Sequence, residues 1–145
     1  MKVFSGEITN WNELGGEDAA IHVVAREEGS GTRSAFEEMV MGDALITDGA
    51  TLQPSNGAIK ATVSSDVNAL GFVSFGYIDD TVKAMTIDGI AATAETAKSG
   101  TYPIVRPLLL LTDGEPAGIV KDFIDYCLSA EGQSIVEEEG YISVN

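Results

Sequence analysis

Ile21-His22-Val23-Val24-Ala25 is a short, apolar run rich in β-branched residues, and Gly29-Ser30-Gly31-Thr32 breaks it. Beyond the glycines, Ala35, Phe36, Met39 and Val40 recur at helical spacing, with Glu37 and Glu38 on the other side. A buried strand, a glycine turn and an amphipathic helix in that order point to an α/β layer fold, in which strands and helices alternate.

The rest of the chain continues the alternation. Residues 44–54, with Gly49 and Pro54 as breakers, read as a loop. Ser55 can cap a short helix carrying Ala58, Ile59, Thr62 and Val63, which Asp66-Val67-Asn68 ends. Residues 70–75 read as the next strand, and residues 82–87 alternate before Asp88-Gly89, a turn signal. Residues 104–111 form an apolar extended run whose Pro107 suits a sheet edge or a crossover. In the last third, Ile119, Val120, Phe123, Ile124, Cys127 and Leu128 share a wide helical face. Ser129 is expected to cap a second helix with Ile135 and Val136, which Gly140 ends.

Composition narrows the function classes. The net charge of −15 repels nucleic acid and anionic membranes, so neither is an expected partner. No apolar run approaches the roughly 20 residues that span a bilayer. Met1-Lys2-Val3-Phe4-Ser5-Gly6 lacks the charged-then-apolar layout of a signal peptide, so the chain alone reads as cytosolic or as a fragment whose export signal lay upstream. His22 and Cys127 are the only histidine and cysteine, which leaves a zinc site or a Cys/His catalytic pair short of ligands or geometry. Cys127 reads as a small core residue, and Asp79-Asp80 is a weak cation signal. No metal or cofactor is expected.

The glycine turn carries the chemistry. The first N–H groups of a helix lack intrahelical partners and sit at the positive end of its dipole, a position that suits an anion of phosphate size. Gly29 and Gly31 let the backbone approach, Ser30 and Thr32 add hydroxyl donors, and Arg26 can turn its planar fork onto two ligand oxygens. An equally open reading from spacing is a plain helix cap at Ser30 or Thr32, with Arg26 paired to Glu28 on the surface. No lysine follows the glycines, so this is not a nucleotide-hydrolysing loop. Ser30 has no histidine or lysine nearby in sequence to activate it, so an enzyme is not expected.

Arg26-Glu27-Glu28-Gly29-Ser30-Gly31-Thr32 followed by an amphipathic helix resembles the phosphate-contacting turn of transporter phosphate-binding proteins. Phe4-Ser5-Gly6-Glu7-Ile8-Thr9-Asn10-Trp11, Ala69-Leu70-Gly71-Phe72-Val73-Ser74-Phe75-Gly76-Tyr77, Tyr102-Pro103-Ile104-Val105-Arg106-Pro107-Leu108 and Leu128-Ser129-Ala130-Glu131-Gly132-Gln133 resemble further family segments, in family order. The resemblance implies a type II periplasmic-binding-protein-like α/β lobe, a mixed sheet flanked by helices, and a non-enzymatic solute-binding component of a phosphate ABC importer. Carried over by motif, Arg26, Ser30, Gly31 and Thr32 match phosphate contacts. Gly29 supports the turn, and Glu28 stands where the family has an aspartate that holds the arginine.

By the same resemblance, residues of about 4–101 form the second lobe and those of about 102–145 the late crossover and final helices of one α/β domain. The family's first-lobe half precedes the point where this sequence starts, and with it a carboxylate that accepts the phosphate's proton. Inorganic phosphate, an ABC permease and an extracytoplasmic location are implied. A tungstate or molybdate binder and a sensory or interaction module are the alternatives. A homodimer is expected from Ile119, Val120, Phe123, Ile124 and Leu128, a face that the first lobe would cover in the family.

Overall fold

Val23, Val24 and Ala25 are buried in β1 (His22–Arg26), the middle strand of a three-stranded sheet in a computed structural model that describes Met1–Asn145. The chain divides into two units, Met1–Ala84 and Met85–Asn145.

In the first unit the order is β2–β1–β3, with β2 at Thr51–Gln53 and β3 at Ala69–Gly71. Both pairings are parallel, so the antiparallel member that a mixed sheet requires is not among these strands. A central parallel strand is covered on both faces, which is why β1 reads as a continuous apolar run. Parallel neighbours need helical crossovers. The first is α1 (Gly31–Phe36), which continues into a π-type turn at Glu37–Met41. The second is α2 (Asn56–Ser65), capped by Ser55, whose side chain accepts the Ala58 N–H at 3.1 Å.

Core packing follows the parity of β1. Val23 and Ala25 join Phe4, Met41 and Ile46 in one buried cluster. Phe36 stacks on Phe72 at 4.1 Å between centroids, and Phe4 meets Phe36 edge-on at 4.6 Å. Each such ring pair adds roughly 0.5–1.5 kcal/mol beyond burial. Val24 has the opposite parity, and α2, which packs on β1 and β3, buries Ile59.

Several sequence expectations changed. The stretch 44–54 is not all loop, because β2 forms there. It is a three-residue edge strand with Thr51 and Leu52 exposed, recruited by pairing with β1 rather than by its own pattern. The strand expected at 70–75 ends at Gly71, and a 3-10 turn follows at Phe75–Tyr77. Residues 82–87 form no strand. Only Ile87 bridges Ile90, around Asp88 and Gly89 at φ 52° and 80°, the positive pair that a tight hairpin turn requires.

The second unit holds α3 (Ala94–Lys98), α4 (Gly118–Leu128) and α5 (Ala130–Glu138). Ser129 ends α4 and caps α5, where its Oγ accepts the Gly132 N–H at 3.2 Å. Buried Gln133 ties the unit together, donating to Cys127 O at 2.8 Å and accepting the Val144 N–H at 2.7 Å. Cys127 itself is half-buried. The run 104–111 is not in a strand, and Leu108 to Leu111 are 55–89% exposed, since no neighbouring strand pairs with them. Ile119, Val120, Phe123 and Leu128 of α4 are also exposed.

Candidate anion-binding site

Because all three strands run the same way, the segments that follow them gather at one edge of the sheet. At the end of β1 come Arg26 and then Glu27 to Thr32, after β2 come Pro54 to Asn56, and after β3 comes Ser74.

Arg26 is the last residue of β1, and its side chain is only 13% exposed. Its Nη2 donates to Glu27 Oε1 at 3.0 Å and to the Pro54 carbonyl at 3.3 Å. Its Nε is buried without a partner. The guanidinium is thus held along one edge while a buried donor stays unspent. Arg33 braces the same corner, donating from Nη1 to the Arg26 carbonyl at 3.1 Å and from Nε to Glu37 Oε1 at 2.7 Å.

The carboxylate on Arg26 is Glu27, whereas Glu28 is exposed. Consecutive residues face opposite ways only while the strand lasts, and β1 ends at Arg26, so Glu27 can swing back beside its neighbour. The Arg26 hydrogen bond holds the Glu27 carboxyl below its ordinary pKa.

Gly29 takes φ +84°, a left-handed conformation that L side chains rarely adopt, and this turns the chain into α1. Ser30 is 6% exposed, and its Oγ accepts the Arg33 N–H at 3.2 Å as the helix cap. That bond uses a lone pair and leaves the hydroxyl proton available for donation. Gly31 begins α1. Thr32 Oγ1 lies 3.2 Å from Ser74 Oγ, which also accepts from Asn56 Nδ2 at 3.1 Å. Arg26, Ser30, Gly31 and Thr32 therefore share one turn.

Sequence reading missed Asn56, Ser74 and Arg33. A signal existed for Arg33, whose i,i+4 spacing to Glu37 marks a helix-surface pair. None existed for Asn56, because its place beside the turn depends on β2, which the sequence presents as loop.

Other singled-out residues have structural partners. Trp11 Nε1 donates to Asn68 O at 3.1 Å. His22 meets Asp66 at 2.6 Å, at the opposite end of β1 from the turn. Lys60, at 2.7 Å, and Thr81 hold the Asp79 carboxyl down to about 2, so this carboxylate stays ionised across the neutral range. An open cavity of about 270 Å³ is lined by Val3, Ile8, His22 and Thr51 among others, and it lacks the arginine and hydroxyl set of the turn.

A family model described as a PBP (periplasmic-binding-protein) superfamily domain matches residues 1–131, and the chain belongs to that superfamily. Its relatives are phosphate-binding proteins. The phosphate-binding protein PstS of Bacillus subtilis (strain 168) is 40% identical over 99% of this chain and 48% of its own length. A structure from Clostridium perfringens, described as a phosphate ABC transporter substrate-binding protein with bound phosphate, superposes with a TM-score of 0.85. It is 42% identical over 99% of this chain and 60% of that one. An ABC-type phosphate transport receptor from Vibrio cholerae gives a TM-score of 0.86 and 35% identity over 97% of this chain and 60% of that one. The chain spans about half the length of the curated relatives it matches. No helix is long and apolar enough to cross a membrane.

Proposed function

We propose that this chain binds inorganic phosphate as part of the solute-binding component of an ABC phosphate importer. The observation that carries the reading is Arg26, held in place by Glu27 and Pro54 with a buried, unpartnered Nε beside a turn of hydroxyl donors. A charge-assisted contact from Arg26 and O–H donation from Ser30 and Thr32 act over a few ångströms, while the repulsion from −15 overall charge is screened beyond ~8–10 Å. Gly31 allows close approach of the backbone. Binding and release without bond cleavage need no nucleophile, so the function is transport rather than catalysis. An extracytoplasmic location and a permease as partner belong to the same reading, which the similarity to phosphate ABC transporter substrate-binding proteins supports.

Calorimetric titration with phosphate, repeated with sulfate, tests the reading. Arg26, Ser30 and Thr32 include no carboxylate to take up the proton of a phosphate, so sulfate is expected to bind within about tenfold of phosphate. Absence of phosphate binding at millimolar concentration rejects the reading. Sulfate rejection of about a hundredfold or more would instead assign a proton-accepting role to a carboxylate, with the buried, unpartnered Glu27 Oε2 the first to substitute.

The exposed leucines at 108–111 and the exposed face of α4 support self-association through the second unit. The expected result is a mass that doubles with concentration in sedimentation equilibrium. A single monomeric species at every concentration excludes it.

A further inference from the structure

Ser74 and Asn56 are placed in a way their local structure does not require. Ser74 precedes the 3-10 turn at Phe75–Tyr77 yet makes no side-chain cap to it. Asn56 opens α2, but Ser55 already caps that helix. The Ser74 side chain turns instead to Thr32, 42 residues away in sequence, and the Asn56 side chain turns to Ser74. The Asn56 Oδ1 is buried without a partner.

Counting protons gives the arrangement a direction. Thr32 and Ser74 carry two hydroxyl protons, and the bond between their oxygens uses one. With its Nδ2 toward Ser74, the Asn56 amide occupies a Ser74 lone pair and leaves the other proton unspent. If Ser74 donates to Thr32, the Thr32 proton is left over. If Thr32 donates to Ser74, the Ser74 proton is left over. In both cases one O–H remains beside the Arg26–Thr32 turn, and it can be satisfied only by an acceptor.

We propose that the Thr32–Ser74 hydroxyl pair, rather than Thr32 alone, supplies one O–H donor to a bound tetrahedral oxyanion, and that Asn56 is the positioning residue that orients the pair. This rests on the phosphate-binding reading and extends the site beyond the turn, to the segments following β2 and β3. A fully ionised acceptor matches the pair, and a ligand presenting only donors does not.

The test is phosphate affinity by calorimetry on the full chain, with Arg26→Ala as the reference for loss of the site. Ser74→Ala is expected to weaken phosphate binding about tenfold, the loss of one hydrogen bond to a charged group. Ser74→Thr, which keeps the hydroxyl, should restore most of that loss. Thr32→Ala with Ser74→Ala should cost less than the product of the two single effects, because each alone breaks the same pair. Asn56→Asp is nearly isosteric, and a carboxylate in the first turn favours α2, so this variant folds. Once ionised it accepts the Ser74 proton and spends the donor meant for the ligand. Its affinity should therefore fall as pH rises through the carboxylate range, a dependence that a purely structural role would not create. Wild-type affinity in Ser74→Ala, with binding lost in Arg26→Ala, overturns this inference and leaves the phosphate reading standing. A wild-type chain that binds no phosphate overturns both.

Discussion

Arg26→Ala loses phosphate affinity by about two orders of magnitude or more, the size expected when a charge-assisted, two-point contact is removed. Two effects add. The guanidinium no longer meets the anion, and Glu27, now without its partner, presents a carboxylate to the same place. Arg26 is what holds the Glu27 carboxyl below its ordinary pKa, and at neutral pH that group stays ionised even when the shift is released. Arg26→Lys recovers little. An ammonium carries its three N–H groups on one nitrogen, so it cannot hold Glu27 and Pro54 O from one nitrogen while a second, fixed nitrogen faces the ligand, as the guanidinium can. Titration of both variants decides the matter, and an unchanged dissociation constant in Arg26→Ala removes the turn from the site. The melting curve of each variant without phosphate separates loss of contact from loss of fold.

Gly132→Ala severely destabilises the second unit. A Cβ at Gly132 would stand 2.2 Å from Tyr126 O, 2.9 Å from Cys127 O and 3.0 Å from Cys127 Cα, all of them backbone. No side chain can turn away to make room. The one residue between α4 and α5 forces this approach, since Ser129 must end one helix and cap the next. A cost of about 3 kcal/mol or more is expected, at or above the upper end for overpacking, because main chain must shift. Hydrogen exchange of the α4 and α5 amides reads it out directly. Protection equal to wild type would mean that the junction is looser than its geometry.

The two variants separate the kinds of information in this chain. Ser55, Ser129 and the Asp88-Gly89 turn were legible because each acts through atoms within three or four residues. A cap hydroxyl reaches its own helix, and a tight turn needs positive φ where the sequence places a glycine. The buried strand and the glycine turn were legible for the same reason. Arg26, Ser30, Gly31 and Thr32 are thus brought together by seven consecutive residues. The alternating run 82–87 and the apolar run 104–111 misled, because pattern marks a face but cannot supply the neighbour that makes a strand.

The sequence by itself determined the strand–turn–helix unit, the caps and the candidate ligand-contacting turn. Local hydrogen-bond chemistry and backbone conformation suffice for these. Tertiary structure alone decided that β2 exists, that Glu27 rather than Glu28 meets Arg26, and that Asn56 and Ser74 stand beside Thr32. The physical reason is reach. β2 has three residues, too few to show a period, and forms only because β1 offers it a ladder. The contacts from Arg26 to Pro54 and from Thr32 to Ser74 span 28 and 42 residues, and parallel pairing about β1 is what closes those separations at one sheet edge.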